Sequence, residues 1–204
     1  MSGGGTNLQA VLDAIDSGYI RNAAVAAVVS SNKKAYALER AKQKGIPSTY
    51  ISKRQFQNPD EYDKAVIEYF ESHGVGLVLM AGFLSIMGER FVNHYKNRIM
   101  NVHPALIPAF SGKGFYGIKV HEKVIEYGVK ITGATVHFVE LETDAGPIIL
   151  QKAVEVRDGD TPEALQKRVM KEAEHKIFPE AVKLFTEGRL KLEGRWVRIL
   201  PPRE

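Results

Sequence analysis

Asn101 and His103 stand two residues apart in a short apolar segment that stops at Pro104. If this segment is a strand, its period of two places both side chains on one face, and the proline ends the strand just beyond them. An asparagine amide can stabilise a developing oxyanion, and a histidine can move a proton near neutral pH. The spacing therefore indicates acid and base chemistry at the end of a strand, with a buried structural histidine and a turn asparagine as the alternative.

A second polar strip follows further along the chain. Thr135 and His137 share one face of a predicted strand, and Asp144 lies in a predicted turn shortly after it. Polar groups inside a buried strand need hydrogen-bonding partners. A carboxylate near His103 would raise the pKa of that ring, orient it and favour the imidazolium. Two histidines and an aspartate could also hold a metal, but no local ligand spacing supports this, and we expect no metal.

The chain opens with glycines that run directly into a predicted helix. Gly5, Thr6 and Asn7 stand where the free amides of a helix N-terminus favour a phosphate; a flexible terminal segment is the alternative. Lys171 and Glu174 are one helical turn apart and could face one ligand or form an ordinary surface ion pair.

Periodicity and turn residues predict helices that alternate with strands. The predicted strands cover residues 23–29, 49–51, 76–81, 98–102, 132–139 and 147–156, and the predicted helices cover residues 8–15, 34–44, 59–72, 119–126 and 162–185. We expect His121, on one of these helices, to have a surface or capping role. This order indicates an α/β fold with a mostly parallel central sheet flanked by helices, in which ligands bind at the carboxyl ends of the strands.

Composition narrows the class of protein. The 204 residues suit one domain, and 44% hydrophobic with 25% charged residues is typical of a globular chain. The absence of cysteine excludes disulfides and a cysteine nucleophile. The formal charge of +4 is spread among interspersed acidic residues, which argues against nucleic acid as a partner. No apolar run is long enough to cross a bilayer, so we expect no membrane partner and a cytoplasmic location.

Taken together and in order, the motifs resemble the phosphoribosylglycinamide formyltransferases. The segments that carry the resemblance are residues 2–9, 31–33, 81–83, 101–108, 133–139 and 144–151, and Glu174-His175 followed by Pro179. The resemblance implies a Rossmann-like formyltransferase fold in one domain over residues 1–204, with a nucleotide-binding N-terminal half and a folate-binding, catalytic C-terminal half. It also implies a hydrophobic strand directly before Ser2, so we expect the first strand of the sheet to be absent.

The resemblance further implies a role for each candidate residue. Asn101, His103 and Asp144 would be catalytic, supported by Thr135 and His137. Gly5, Thr6, Asn7, Lys171 and Glu174 would hold the phosphate and ribose of glycinamide ribonucleotide. The co-substrate 10-formyltetrahydrofolate would lie against Leu84, Ser85, Ile86, Met87, Asn101, Glu140, Leu141, Glu142, Thr143 and Asp144. The partners would be these two small molecules, and the protein would be a monomer or homodimer.

Three alternatives share part of this pattern. A 10-formyltetrahydrofolate hydrolase would give the formyl group to water, and such enzymes usually carry an additional N-terminal domain. A methionyl-tRNA formyltransferase would need a tRNA-binding domain. A non-catalytic nucleotide-binding module would leave Asn101, His103 and Asp144 apart. The loop 111–117, longer than in the better-known bacterial members, would either cover the active site or be an inert surface insert.

Overall fold

The computed structural model describes residues 4–82 and 87–202. The helices are α1 (Thr6–Asp16), α2 (Tyr36–Gln43), α3 (Pro59–Glu71), α4 (Glu89–His94), α5 (Ile118–Glu126), α6 (Pro162–Val169) and α7 (His175–Thr186). The strands are β1 (Val28–Ser30), β2 (Ser48–Tyr50), β3 (Val78–Ala81), β4 (Ile99–His103), β5 (Ile131–Phe138), β6 (Ile148–Glu155), β7 (Leu190–Glu193) and β8 (Trp196–Ile199).

The strands form one larger sheet and two strand pairs. β3, β4, β5 and β6 are neighbours in that order, β1 pairs with β2, and β7 pairs with β8. The β1–β2 and β3–β4 pairs are parallel, whereas β4–β5, β5–β6 and β7–β8 are antiparallel. The predicted α/β fold with parallel strands flanked by helices is confirmed, and antiparallel strands extend it in the C-terminal half.

Capping residues set the start of two helices. The Asn58 side chain accepts a hydrogen bond from the Glu61 amide at 2.9 Å, and Pro59 occupies the first helical position. Thr161 accepts from the Ala164 amide at 3.2 Å and is likewise followed by a proline. Such caps satisfy amides that have no partner within the helix. These two helix starts agree with the sequence-based prediction.

The start of α1 depends on a glycine instead. Gly5 has a φ of 68° and provides no side-chain cap, and this backbone region is one that glycine adopts without steric cost. A Cβ at Gly5 would lie 2.9 Å from the Cβ of Ala37 in α2. Both the conformation and the available space therefore require glycine where α1 begins.

Two predicted elements differ from the structure. In the apolar run 23–29 only the end forms a strand, as β1, and residues 23–27 are irregular. The long C-terminal helix divides into α6 and α7, joined by a π-helical turn over Met170–Glu174. Pro179 lies inside α7, where its missing amide hydrogen removes one helical hydrogen bond.

β4 is buried on both faces, which places its carboxyl end inside the molecule. Met100 and Val102 belong to an apolar cluster with residues of α6 and α7, while Ile99 belongs to a second cluster with residues of α3 and α4. Because side chains alternate along a strand, Asn101 and His103 share the face of Ile99. Within the described residues, no helix is both long and apolar enough to span a bilayer.

Candidate active site

The pairing of β4 with β5 gathers four polar side chains on one face of the sheet. Asn101 lies opposite His137, and His103 lies opposite Thr135. Residues directly opposite each other in an antiparallel pair point to the same face. The two polar strips found in the sequence are therefore one surface at the carboxyl end of β4.

Asp144 reaches this surface from the loop between β5 and β6. One carboxylate oxygen, Oδ2, lies 3.4 Å from His103 Nδ1, and the other, Oδ1, lies 3.6 Å from His137 Nε2. The side chains of His103 and Asp144 are only 5% and 8% exposed. A φ of 55° at Asp144 directs the loop into this position. The largely buried carboxylate thus sits between two imidazole rings.

His137 connects Asn101 to this arrangement. Its Nδ1 donates to the carbonyl oxygen of Phe138 at 2.8 Å, and its Nε2 lies 3.2 Å from Nδ2 of Asn101. A neutral ring with its proton on Nδ1 accepts at Nε2 from the Asn101 amide, whereas a protonated ring donates from Nε2 to Asp144 Oδ1, 3.6 Å away. His137 therefore orients the amide of Asn101, and through it the structure links all three residues predicted to be catalytic.

The loop after Pro108 supplies two backbone partners that sequence reasoning missed. His103 Nε2 donates to the carbonyl oxygen of Phe110 at 2.8 Å, and the Gly112 amide donates to Asp144 Oδ2 at 3.0 Å. Phe110 adopts a φ of 49°, a region uncommon for residues other than glycine. Gly112, within the predicted 111–117 insert, therefore contacts the buried carboxylate directly. Backbone groups leave no side-chain pattern that could have indicated these contacts.

The pKa of His103 shifts against the sequence-based expectation. Burial lowers it below the usual 6.5 and outweighs the Asp144 charge and the Phe110 hydrogen bond, both of which raise it, while His137 lowers it further. The expected contribution of Asp144 has the right sign, but the expected net rise is wrong. The loss of hydration destabilises the buried imidazolium more than the attraction of the Asp144 carboxylate, 3.4 Å away, stabilises it.

The pKa of Asp144 shifts in the opposite sense to what burial alone would cause. Burial raises it, but the nearby His137 ring, the His103 charge and the Gly112 amide together bring it below the usual 3.8. The carboxylate is therefore ionised at neutral pH. A negative Asp144 therefore faces a His103 ring whose pKa is lowered by burial.

His121 is a further buried group near the site. It lies on α5, is 0% exposed, and has no hydrogen-bond partner on either ring nitrogen among the described residues. Burial, followed by the charge of His103, lowers its pKa to about 4. The expected surface or capping role is wrong, because α5 turns this face toward the core.

Thr135 holds the turn that follows His103. Its hydroxyl donates to the Ala105 carbonyl oxygen at 2.7 Å and accepts from the Ile107 amide at 3.1 Å. Gln151 Nε2 donates to the same hydroxyl at 3.0 Å. These contacts fit the predicted supporting position, since they join β5 and β6 to the chain just beyond His103.

A second buried contact forms where α1 begins. Asn7 Nδ2 donates to Glu174 Oε2 at 2.7 Å, and Thr6 Oγ1 contacts the Met170 sulfur at 3.2 Å. Burial raises the pKa of Glu174, and the Asn7 hydrogen bond offsets part of that rise. Lys171 is exposed on the same π-helical turn. The turn therefore directs a carboxylate inward toward Asn7 and an ammonium group outward.

The residues predicted to contact folate are described only in part. Leu84, Ser85 and Ile86 lie outside the described residues, and Met87 is buried. The loop before Asp144 exposes Glu140, Leu141, Glu142 and Thr143. Over residues 4–82 and 87–202, no group of three or more His, Cys, Asp or Glu side chains is arranged to hold a metal ion.

Comparisons with known proteins show the family to which the chain belongs. A family model described as Formyl transferase matches residues 1–182. Phosphoribosylglycinamide formyltransferase of Escherichia coli strain K12 is 37% identical over 206 residues, which cover 99% of this chain and 94% of that protein. The crystal structure of glycinamide ribonucleotide transformylase 1 from Symbiobacterium toebii matches with a TM-score of 0.92 and 44% identity, over 98% of this chain and 92% of that one.

A longer relative contains a similar segment. The trifunctional purine biosynthetic protein adenosine-3 of Bos taurus is 42% identical over 202 residues. That alignment covers 97% of this chain but 19% of the bovine protein. The chain thus spans about a fifth of this relative and nearly the whole length of the bacterial one.

We expect Thr135→Val to lower the free energy of unfolding by about 2 kcal/mol, because it removes three hydrogen bonds and leaves the Ile107 amide without its acceptor. Urea unfolding measures this change. Thr132→Val is the matched control: Thr132 is buried in the same strand, and its hydroxyl has no partner among the described residues. That variant should be as stable as the parent or more so, and equal losses in both would contradict the role given to Thr135.

We expect Asp144→Asn to lower the pKa of His103 further, because the charge that favours the protonated ring is lost while the ring stays buried. Titration of the His103 ring protons by NMR measures this shift. In the control, Asp158→Asn, a fully exposed carboxylate is neutralised, and the pKa of His103 should not change. A rise of that pKa in Asp144→Asn would show that the 3.4 Å contact does not stabilise the imidazolium.

Proposed function

The chain belongs to the formyl transferase family, and from that premise we propose that it transfers the formyl group of 10-formyltetrahydrofolate to the amine of glycinamide ribonucleotide. The observation that carries this proposal is the buried contact of His103 with Asp144, beside Asn101, at the carboxyl end of β4. An amide, an imidazole and a carboxylate at one place supply the oxyanion stabilisation and proton transfer that the reaction needs. The bacterial relative of nearly equal length carries this activity in its name.

The proposed reaction exchanges one carbon–nitrogen bond for another. The amine nitrogen of the ribonucleotide bonds to the formyl carbon, and the bond between that carbon and the folate nitrogen breaks. The attacking amine loses one proton and the departing folate nitrogen gains one, so formylglycinamide ribonucleotide and tetrahydrofolate balance the reactants. Holding both molecules in the reactive orientation provides much of the acceleration.

Each residue at the carboxyl end of β4 has a distinct part in this proposal. The Asn101 amide, oriented by His137, donates to the oxyanion of the tetrahedral intermediate. His103 takes its second proton at Nδ1, where the Asp144 carboxylate stabilises the resulting charge. Although burial lowers the pKa of His103, a developing oxyanion adds negative charge beside the ring and favours protonation. Asp144 also orders a water that relays the proton to the folate nitrogen.

The ribonucleotide is proposed to bind where α1 begins. Backbone amides of Gly5, Thr6 and Asn7 lie at a helix N-terminus, which favours a phosphate. The Glu174 carboxylate, held by Asn7 at 2.7 Å, can accept from a ribose hydroxyl, and the exposed Lys171 can pair with the phosphate. The folate is proposed to lie against Met87 and the 140–143 loop, with its formyl group at Asn101.

Two alternatives predict different behaviour. The hydrolase would release tetrahydrofolate without the amine substrate. The nucleotide-binding module requires that the candidate residues stay apart, and the 3.4 Å contact between His103 and Asp144 argues against it. A cytoplasmic location, a monomer or homodimer, and small molecules as the only partners belong to the transferase proposal.

The deciding assay follows tetrahydrofolate release from 10-formyltetrahydrofolate with and without glycinamide ribonucleotide. We expect release only when both are present. Release at an equal rate without the ribonucleotide would establish the hydrolase, and no release under either condition would favour the binding module.

In the same assay, His103→Ala and Asp144→Ala should each lower kcat by at least about 100-fold. His94→Ala, at an ion pair with Glu71 on the surface, is the control and should keep its kcat.

We expect Lys171→Ala to raise KM for the ribonucleotide by about tenfold with little change in kcat, because a charge-assisted contact to the phosphate is lost. Steady-state kinetics with each substrate varied in turn separates the two constants. Lys176→Ala removes another exposed lysine five residues later and should change neither. If Lys171→Ala weakens only the folate, the phosphate assignment is wrong.

A further inference from the structure

The loop that carries Asp144 is exposed over most of its length. It links β5 to β6, and its residues 140–143 lie on the surface. Within it, the Ala145 amide donates to the Glu142 carbonyl oxygen at 3.4 Å, which is long for such a hydrogen bond. At its end, a Cβ at Gly146 would overlap the carbonyl oxygen of Phe138, so the backbone packs closely there. The placement of Asp144 therefore depends also on contacts made by the residues that follow it.

One of these contacts comes from a distant part of the chain. Arg195 Nη2 donates to the carbonyl oxygen of Ala145 at 2.9 Å, across 50 positions of sequence. That carbonyl belongs to the residue directly after Asp144, whose φ of 55° lies in a region uncommon outside glycine. Because the peptide unit is planar, a hydrogen bond to its oxygen also restrains its orientation. The Arg195 side chain thus restrains the backbone immediately after the carboxylate.

The β7–β8 hairpin gives Arg195 a fixed base. Glu193 pairs with Trp196, so Gly194 and Arg195 form a turn of two residues. Gly194 has a φ of 60°, which suits the first position of such a turn. Apolar side chains of both strands pack against the same cluster as β4, and β8 also contacts β6. The turn therefore holds Arg195 on a platform that is fixed to the core.

Arg195 acts on Asp144 by position rather than by charge. The groups that lower the pKa of Asp144 are the His137 ring, the His103 charge and the Gly112 amide, and among the described residues the Arg195 guanidinium is not one of them. The Arg195 side chain is exposed, and water and salt screen charges at the surface. Its one described hydrogen bond goes to a backbone oxygen.

We propose that Arg195 is a positioning residue, whose hydrogen bond to the Ala145 carbonyl holds the loop so that the Asp144 carboxylate stays between His103 and His137. The effect on catalysis rests on the transferase function proposed above. The contact between Asp144 and His103 exists in the folded chain without substrate, so the positioning itself can be tested apart from the reaction.

Arg195→Met keeps most of the side-chain length and removes every hydrogen-bond donor. We expect the pKa of His103, measured by NMR titration of its ring protons without substrates, to fall further, because a displaced Asp144 raises it less. Loss of a positive charge alone would instead raise that pKa. The direction of the shift therefore separates positioning from a charge effect, and an unchanged or raised pKa would overturn the proposal.

Two further variants on the same hairpin are the controls. Arg198→Met removes a guanidinium that is 70% exposed and pairs with Glu193 at 2.6 Å, and it should leave the pKa of His103 unchanged. Arg195→Lys keeps a donor and should restore part of the pKa. A fall in Arg198→Met as large as in Arg195→Met would show a general effect of the hairpin and contradict the role of the Ala145 contact.

A double variant shows whether Arg195 acts through Asp144. In Asp144→Asn the carboxylate charge is already absent, so adding Arg195→Met should lower the pKa of His103 no further. A further fall would mean that Arg195 reaches His103 by another route, which would overturn the proposal.

The tetrahydrofolate-release assay measures the effect on the reaction. Arg195→Met should lower kcat by about tenfold, because a small misplacement of a catalytic group slows a reaction steeply, and KM for the ribonucleotide should not change. A normal kcat would exclude a positioning role in catalysis. If the parent protein releases no tetrahydrofolate, the transferase proposal fails, and the NMR titration still decides whether Arg195 positions Asp144.

Discussion

The arrangement at the carboxyl end of β4 depends on the burial of one negative charge. The Asp144 side chain is 8% exposed, and burial alone would favour its neutral form. Three groups from separate parts of the chain keep it ionised: the His103 ring on β4, the His137 ring on β5 and the Gly112 amide in the long loop. Because an unpaired buried carboxylate is costly, the carboxylate requires all three segments to stay in place. Its position therefore links the sheet, the turn and the loop.

Side-chain patterns predicted part of this site. Period-two spacing placed Asn101 beside His103, and the register of β4 with β5 agrees with that placement. The residues alone pointed to Asp144 as a turn carboxylate, but its place in the catalytic set came from the resemblance to a family, since spacing alone does not fix a distance of 3.4 Å between residues 41 positions apart in the chain. The Phe110 carbonyl and the Gly112 amide could not be predicted, because every residue type has these groups. The net lowering of the His103 pKa could not be predicted from the sequence either, because its main cause is the burial of the ring in the folded chain.

The fold was predicted best where local chemistry decides it. Asn58 and Thr161 cap helices as their sequence context indicates. The apolar run 23–29 was predicted as one buried strand, yet only Val28–Ser30 forms it. A strand exists through its neighbours, and residues 24–27 have no paired neighbour among the described residues. The apolar composition of a segment indicates that it tends to form a strand. It does not show which other segment pairs with it, or in which register.

The π-helical turn at Met170–Glu174 changes the direction in which side chains point between α6 and α7. Each residue of an α-helix advances the side-chain direction by about 100°, and a π turn accommodates one residue more than an α turn. α6 buries Leu165 and Val169, and α7 buries Phe178 and Val182. A single uninterrupted α-helix through this region would rotate one of these apolar stripes away from the sheet. With the extra residue, the apolar stripes of α6 and α7 both face the same core, although their spacing along the sequence does not fit one regular α-helix.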